Sequence, residues 1–396
     1  MLARILELER AFDNLLPFRQ QQGPTSKSLI EAGSKWSGTI WETARQSGKL
    51  SFTEEQIENA LQFTERAIFV CGSERSGTTL LRNLLDAHPQ LSVLPSEGTY
   101  ITNQEKQILA LPIEGRAEFL CREWLWRLVM SMHVQPYWLL GKSSLTHSPY
   151  IDFTRAFITW WDIVEAKLSE KNKQWPFLVL QLAFATVQNK MNSDVKQIYW
   201  AEKTPRNEQY LKRLWNDFPK AKVIHVIRNP IDVLRSLKPY EPISSISSQG
   251  LIKNLKISFT VANKEVIKRN KQHLVIRYED LCKDPDSVTL QIAAFLEIAY
   301  LPCLLTPTVV GQLADSNSSF KQKGTLGKIM NAKEHRQEDK LTQKDLELLS
   351  ASLYKLTGPF GYHLPPIGIL RKQTLIAETF VTRVFNKIKR TASSNH

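Results

Sequence analysis

The residues best suited to chemistry form a loop at positions 72–79, GSERSGTT, between an apolar run and a leucine-rich run. A loop of this kind between a strand and a helix aims several backbone N–H groups and the positive end of the helix dipole at one point. Arg75 adds a side-chain cation inside the loop. A simple Ser/Thr helix cap would explain Thr78 or Thr79, but neither Arg75 nor the two glycines. The loop therefore predicts a site for a phosphate-like anion.

The loop departs from the ATP-binding Walker pattern at one position. That pattern, G-x-x-x-x-G-K-[ST], requires a lysine where this chain has Thr78. A later apolar run, residues 221–228, ends in Arg228 and not in an acid suited to holding Mg²⁺. We therefore expect no metal site. We also expect a transferred group that carries less negative charge than phosphoryl, so that side-chain cations suffice.

A second cationic position follows the apolar run at residues 221–228. Arg228 lies at its carboxyl end, where ligands of open parallel sheets bind, and its guanidinium matches phosphate oxygens. Asn229 and Pro230 then predict the N-cap and the first residue of a helix. Ser236 lies about two turns into that helix. This segment therefore predicts a second place at which an anion is held.

The two segments resemble the sulfotransferase family. The loop is similar to the family's [KR]-S-G-T-[ST] loop, which binds the 5′-phosphosulfate of the donor 3′-phosphoadenosine 5′-phosphosulfate (PAPS). Its matching residues are Arg75, Ser76, Gly77, Thr78 and Thr79. Residues 228–236, RNPIDVLRS, are similar to the family's R-[ND]-P-x-D-x-x-x-S motif. The resemblance implies that Arg228 and Ser236 hold the 3′-phosphate of the nucleotide.

Further matches extend the resemblance over about residues 67–300. Tyr278 begins a YEDL segment, in which the family's tyrosine lies near the adenine. Residues 201–206, AEKTPR, are similar to the EKTP or KDP segment of the branch that includes tyrosylprotein, heparan and many bacterial sulfotransferases. Lys323 distantly resembles the lysine of the family's RKG nucleotide-binding segment, although Gln322 replaces the preceding basic residue. An exposed basic loop would explain Lys323 equally well.

In-line sulfuryl transfer needs a base for the acceptor proton and cations for the developing charge. Glu97 falls where the tyrosylprotein and bacterial relatives place their catalytic glutamate, so the resemblance implies that it is the general base. Arg75 and Lys203 are the candidates for charge stabilisation. Two simpler explanations remain open at this point: Glu97 as a solvated loop acid, and Lys203 as the ion-pair partner of Glu202.

The elements that must position these residues alternate between strand and helix. Apolar, β-favoured runs beginning at Ala67, and at residues 221–228 and 273–280, predict strands that each lead into a helix. The alternation predicts an α/β fold, a P-loop-like three-layer α/β/α arrangement with a mostly parallel central sheet. Residues 108–190 carry Leu, Trp and Phe at helical spacing and predict a helical insertion on the acceptor side.

The chain divides into three regions by pattern. Residues 1–65 predict an N-terminal helical extension, interrupted by a polar run at residues 20–28, and residues 66–365 predict the sulfotransferase domain. Residues 366–396 predict a basic amphipathic tail. The apolar residues of that tail lie four apart, at Ile376, Phe380, Val384 and Ile388.

Bulk composition adds weaker limits. The 396 residues carry a formal net charge of +13, which implies an anionic partner: a nucleotide, an acidic acceptor, a membrane surface or a nucleic acid. The four cysteines are widely spaced, so neither a zinc site nor a disulfide framework is expected. The amino terminus lacks the apolar core of a secretory signal. We therefore expect a cytoplasmic protein.

The sequence thus predicts an enzyme that moves a sulfuryl group from PAPS to a hydroxyl or amine of a glycan, a tyrosine or a small metabolite. The runner-up is an ATP-dependent P-loop kinase or another nucleotide-dependent transferase, which would need Mg²⁺. The third hypothesis is a basic protein that binds polyanions or membranes, with residues 371–390 as the contact. No nucleic-acid-binding motif accompanies the charge, so a nucleic acid is not an expected partner.

Overall fold

The central sheet of the computed structural model consists of short, largely apolar strands. The structure describes residues 1–15, 27–129, 138–190, 198–239, 246–314, 325–329, 341–371 and 373–375. Within these ranges the five strands are β1 Ala67–Cys71, β2 Leu91–Glu97, β3 Tyr199–Lys203, β4 Lys222–Ile227 and β5 His273–Arg277. Their order is β2-β3-β1-β4-β5, and every neighbouring pair is parallel. The predicted α/β class and parallel sheet are confirmed.

Helices cover the sheet. In the described part of the chain they are α1 Leu2–Asp13, α2 Lys27–Gln46, α3 Glu54–Thr64, α4 Thr78–Leu85, α5 Glu105–Leu109, α6 Ile113–Val129, α7 Pro149–Leu168, α8 Trp175–Val187, α9 Leu211–Asp217, α10 Pro230–Leu237, α11 Ser248–Ile267, α12 Tyr278–Lys283, α13 Pro285–Leu296 and α14 Gln343–Thr357. Short π or 3₁₀ turns occur at Tyr100–Gln104, Asn207–Tyr210, Pro302–Leu305 and Gly358–Phe360. A two-residue hairpin joins β6 Thr308–Val309 to β7 Gln312–Leu313.

Alternate side chains of β1 enter different cores, which shows that both faces of the sheet are covered. Phe69 lies in the cluster that includes α2 and the helices α6–α8, whereas Ile68 and Val70 lie in the cluster that includes α4 and α13. All five β1 residues are buried. This is the near-continuous apolar strand that a sheet buried on both faces requires.

Two boundaries differ from the sequence-based expectation. The run at residues 273–280 is strand only as far as Arg277, because Tyr278 begins helix α12. Helix α2 begins at Lys27, inside the polar run expected to interrupt the N-terminal helices. The apolar tail positions after residue 375 and Lys323 lie outside the described residues. No helix in the described ranges is long and apolar enough to span a bilayer.

The N-terminal helices α1 and α2 share a core with helices α6–α8. Trp36 of α2 is fully buried, and its ring centroid lies 5.1 Å from that of Tyr150 at the start of α7 and 6.1 Å from that of Phe12 of α1. Trp124 and Trp160 are also fully buried. These tryptophans therefore act as core residues, which leaves none of their ring faces for stacking on an acceptor.

Truncating Trp36 tests whether the N-terminal helices are integral to the fold. We expect Trp36→Ala to lower the free energy of unfolding by about 3–5 kcal/mol, because a large ring leaves a buried cluster. Ile30→Ala, on the same helix but at a side chain that is 48% exposed, should cost far less. Urea unfolding followed by circular dichroism measures both. Equal losses in the two variants would contradict this packing.

Candidate functional site

The loop at residues 72–79, called the phosphate loop below, leads from β1 into α4. Three of its residues have positive φ: Gly72 at 143°, Arg75 at 67° and Gly77 at 99°. Gly77 is the N-cap of α4, and no side chain caps this helix. The alternative in which a Ser or Thr hydroxyl caps the helix is therefore wrong. Among the described residues, no side chain accepts from the first-turn N–H groups of α4, an arrangement suited to an anion.

Tyr278 explains why position 77 must be glycine. A Cβ at Gly77 would lie 2.1 Å from Cδ2 of Tyr278, so the tyrosine ring packs directly on the loop backbone. The guanidinium carbon of Arg228 lies 4.3 Å from the centroid of the same ring. Burial raises the pKa of the Tyr278 hydroxyl. The ring thus joins the loop to the end of β4, and it fixes the plane of Arg228 by a cation–π contact.

The two arginine motifs meet in one site. Arg228 donates from Nη1 to the backbone carbonyl oxygen of Arg75 at 3.2 Å. Arg75 in turn donates from Nε to Oγ of Ser236 at 2.8 Å. The family resemblance groups Ser236 with Arg228, whereas here its hydroxyl contacts Arg75. The loop, the end of β4 and helix α10 therefore surround one position.

A carboxylate and a lysine meet at the neighbouring strand ends. Glu97 and Lys203 are register partners at the carboxyl ends of β2 and β3, and Nζ of Lys203 donates to Oε1 of Glu97 at 2.6 Å. The Lys203 side chain is 2% exposed and that of Glu97 is 27% exposed. Glu202 instead accepts from Thr204 and Asn207. Both simpler explanations are therefore wrong: Glu97 is not a solvated loop acid, and Lys203 does not pair with Glu202.

Two further cations, the buried Arg82 and the partly buried Arg127, lie near this pair. Burial lowers the pKa of Lys203, the charge of Glu97 opposes that lowering, and the charge of Arg82 adds to it. Arg127 of α6 donates to the carbonyl oxygen of Glu97 at 2.9 Å and to Oγ1 of Thr99 at 3.1 Å. Neither Arg82 nor Arg127 is among the residues predicted from the sequence. A lone arginine among the leucines of α4 was the available signal for Arg82, and no local pattern marks Arg127.

The segment after Lys203 is hydrogen-bonded to the start of the phosphate loop. The Arg206 N–H donates to the carbonyl oxygen of Gly72 at 2.9 Å, and the Gly72 N–H donates to Oε2 of Glu208 at 3.1 Å. Nε of Arg206 lies 3.0 Å from Oε1 of Glu74. We call residues 203–208 the strap. The strap therefore links β3, the strand that ends at Lys203, to Gly72 and Glu74 of the phosphate loop.

The residues present fit an anionic nucleotide. Oγ of Ser73 is buried inside the loop and has no hydrogen-bond partner among the described residues. A buried hydroxyl in that state costs free energy until a ligand oxygen bonds it. No group of three or more His, Cys, Asp or Glu side chains in the described ranges is arranged to hold a metal ion.

Comparisons with known proteins identify a family. The model described as "Sulfotransferase family" matches residues 67–302. The sulfotransferase domain of the Synechococcus PCC 7002 olefin synthase is 20% identical, with 76% of this chain and 95% of that chain covered and a TM-score of 0.42. A sulfotransferase from Mycobacterium avium is 14% identical over 72% and 77% of the two chains, with a TM-score of 0.38. A search of curated protein sequences found no match.

A mouse sulfotransferase solved in complex with PAP, the desulfated nucleotide, is a more distant neighbour. It is 15% identical, with 63% of this chain and 66% of that chain covered and a TM-score of 0.29. Similarity at this level adds nothing about the ligands of the present chain.

Glu208, which accepts a hydrogen bond from Gly72 of the loop, should make the free energy of unfolding depend on pH. Burial raises its pKa from 4.5 to about 7, so the folded protein keeps a proton that the unfolded chain releases. The free energy of unfolding should therefore fall as pH rises from about 4.5 to about 7, by up to about 3 kcal/mol for this group. Glu202, with a pKa also raised to about 7 by burial, adds to the trend.

Glu208→Gln isolates the Glu208 share, because the amide oxygen can still accept from Gly72. We expect the variant to lose less stability between pH 5 and pH 8 than the wild type in urea unfolding. Glu65→Gln, at an exposed carboxylate paired with Lys220, should leave the pH dependence unchanged. An identical pH dependence in Glu208→Gln and the wild type would contradict the buried, protonated state.

Proposed function

The chain belongs to the sulfotransferase family, and we propose that it transfers a sulfuryl group from PAPS to a hydroxyl or amine acceptor. One observation carries the proposal: Arg228 bonds the carbonyl of Arg75, and Arg75 bonds Ser236. This contact supports a single site in which the two motifs bind different phosphates of one nucleotide. Acceptors of the glycan, tyrosine and small-metabolite classes all remain candidates.

The donor is proposed to lie across the loop and the end of β4. Residues 75–79 and the N-terminus of α4 would hold the 5′-phosphosulfate, with Oγ of Ser73 as a further bonding group. Arg228 and Ser236 would hold the 3′-phosphate, where a guanidinium fixed in plane offers paired donors. Tyr278 would lie near the adenine. Lys323 remains a proposed nucleotide contact.

Glu97 is proposed as the general base. It would take the acceptor proton while the acceptor oxygen or nitrogen bonds sulfur and the bond from sulfur to the bridging phosphate oxygen breaks. The leaving PAP keeps that electron pair, so negative charge develops on the bridging oxygen. Arg75 and Lys203 would stabilise this charge and the sulfuryl oxygens. No metal is required in this scheme.

The observed ion pair imposes an order on these roles. In the structure, Lys203 donates a hydrogen bond to the carboxylate of Glu97, which is the group proposed to take the acceptor proton. Sulfuryl oxygens of a bound donor would compete for Lys203 and free Glu97 to face the acceptor. Donor binding would similarly replace or share the bond between Arg75 and Ser236. The acid–base pair is therefore proposed to become active only when the donor is present.

Glu97→Gln tests the base. We expect turnover to fall by roughly 10²- to 10³-fold, because the amide cannot accept the proton, while PAP affinity stays within about twofold. Transfer from ³⁵S-labelled PAPS is measured on a panel that holds a phenol, a tyrosine peptide, a polysaccharide and an aliphatic amine. Glu118→Gln, on α6 and paired with Arg122, serves as the matched control and should keep normal turnover. Near-normal turnover in Glu97→Gln would remove Glu97 from the mechanism.

Arg228→Ala tests the 3′-phosphate site. We expect calorimetry to show PAP affinity lowered by at least about tenfold, because a charge-assisted pair to a phosphate is lost. Lys222→Ala, at the amino end of the same strand, should leave PAP affinity unchanged. Arg228→Lys should restore only part of the affinity, because lysine lacks the planar fork. Unaltered PAP binding in Arg228→Ala would show that the second motif does not hold the nucleotide.

A further inference from the structure

Arg82 is a buried cation that the proposed mechanism leaves without a role. It lies on α4, the helix that follows the phosphate loop, and is 3% exposed. Nη1 donates to the carbonyl oxygen of Pro95 at 2.6 Å. Nε and Nη2 donate to Oδ1 of Asn83 at 3.0 and 2.7 Å. None of the ion pairs among the described residues includes Arg82.

Such a placement is costly. A buried guanidinium without a paired carboxylate loses hydration that hydrogen bonds to neutral acceptors recover only in part. Burial accordingly lowers the pKa of Arg82 to about 10. A leucine or methionine would fill the same volume on this leucine-rich helix without that cost. The cation therefore needs a chemical explanation, and the charges it faces supply one.

Arg82 acts on both members of the acid–base pair. Its bond to Pro95 attaches α4 to β2 two residues before Glu97, the last residue of the strand. Its charge interacts favourably with Glu97 and unfavourably with Lys203. On its own helix it faces Asp86. The phosphate-loop helix is thus joined to the catalytic strand end by geometry and by charge.

We propose that Arg82 is a positioning residue that holds the end of β2 and keeps Glu97 ionised when Lys203 turns to the sulfuryl group. This inference rests on the proposed function. In the free protein Lys203 neutralises Glu97. Once the donor takes Lys203, a partly buried carboxylate needs another cation, and Arg82 is bonded to the same strand two residues before Glu97. Its repulsion of Lys203 also eases the departure of that lysine from Glu97.

Glu202 and Arg127 also interact with the pair by charge. Glu202 precedes Lys203 on β3 and interacts with it by charge without a hydrogen bond. Arg127 of α6 faces Glu97 and also donates to its backbone carbonyl. Arg127 therefore shares the electrostatic task, and removal of Arg82 should weaken the base without abolishing it.

Two substitutions distinguish the effect of the hydrogen bond from Arg82 to Pro95 from the effect of the Arg82 charge. Arg82→Gln keeps a donor for the Pro95 carbonyl and removes the charge, whereas Arg82→Lys keeps the charge. With the acceptor that the panel identifies, Arg82→Gln should lower kcat by roughly tenfold at neutral pH. It should also move the acidic limb of the pH–rate profile to higher pH, because protonation of Glu97 becomes easier. Arg82→Lys should retain the profile.

A second readout does not depend on turnover. The Lys203 side chain can be titrated by NMR in protein labelled with ¹³C-lysine, its signal assigned by loss in Lys203→Arg. Because Arg82 lowers the pKa of Lys203, Arg82→Gln should titrate Lys203 at higher pH than the wild type. Arg82→Lys should match the wild type.

His88→Gln is the matched control for a purely structural anchor. His88 is buried just after α4 and bonds the Ala299 carbonyl through Nε2 at 2.8 Å. This variant should lower thermal stability and leave the pH–rate profile and the Lys203 titration unmoved. If Arg82→Gln behaves in the same way, Arg82 is only an anchor and the inference is overturned. If the wild type fails to use PAPS, the proposed function is wrong. The Lys203 titration still tests the charge effect of Arg82 on Lys203 in that case.

Discussion

The hydrogen bond from Arg228 to the Arg75 carbonyl is the contact on which the site depends. It joins the ends of β1 and β4, which are parallel neighbours, so both residues emerge at one edge of the sheet. The phosphate loop can contact the end of β4 because its backbone takes positive φ at Arg75 and Gly77. The tyrosine ring on Gly77 then fills the remaining space and orients the second arginine. A register shift of β1 against β4 would separate these groups.

A second pair of strand ends holds the two residues proposed for acid–base chemistry. The sheet order places β3 beside β1, so the Glu97–Lys203 pair lies one strand away from the loop. The strap that follows Lys203 bonds Gly72 from both sides, through the Arg206 N–H and the Glu208 carboxyl. The proposed nucleotide site and the proposed acid–base pair are therefore linked by one hydrogen-bonded segment. Through this segment, a donor bound at the loop as proposed could influence Lys203, which bonds Glu97 in the structure.

Local patterns predicted the parts of the site that are contiguous in sequence. Strands β1 and β4, the N-cap Asn229 and the segments around Arg75, Arg228 and Tyr278 were all identified from local patterns, and the structure brings these motifs together. Strands β2 and β3 were not predicted, because β2 contains Pro95 and β3 ends in two charged residues. The Glu97–Lys203 bond and the burial of Arg82 depend on contacts between distant segments. Such contacts follow from sheet order, which a single sequence does not specify.

The central claim is that the loop and the end of β4 bind two phosphates of one nucleotide. Calorimetric titration of the wild-type protein with PAP and with adenosine 5′-monophosphate, which lacks the 3′-phosphate, tests it most directly. The account predicts one PAP site per chain, with an affinity roughly 100-fold above that for the monophosphate, because one charge-assisted phosphate site is left empty. Equal affinities for the two nucleotides, or no heat with PAP, would contradict it.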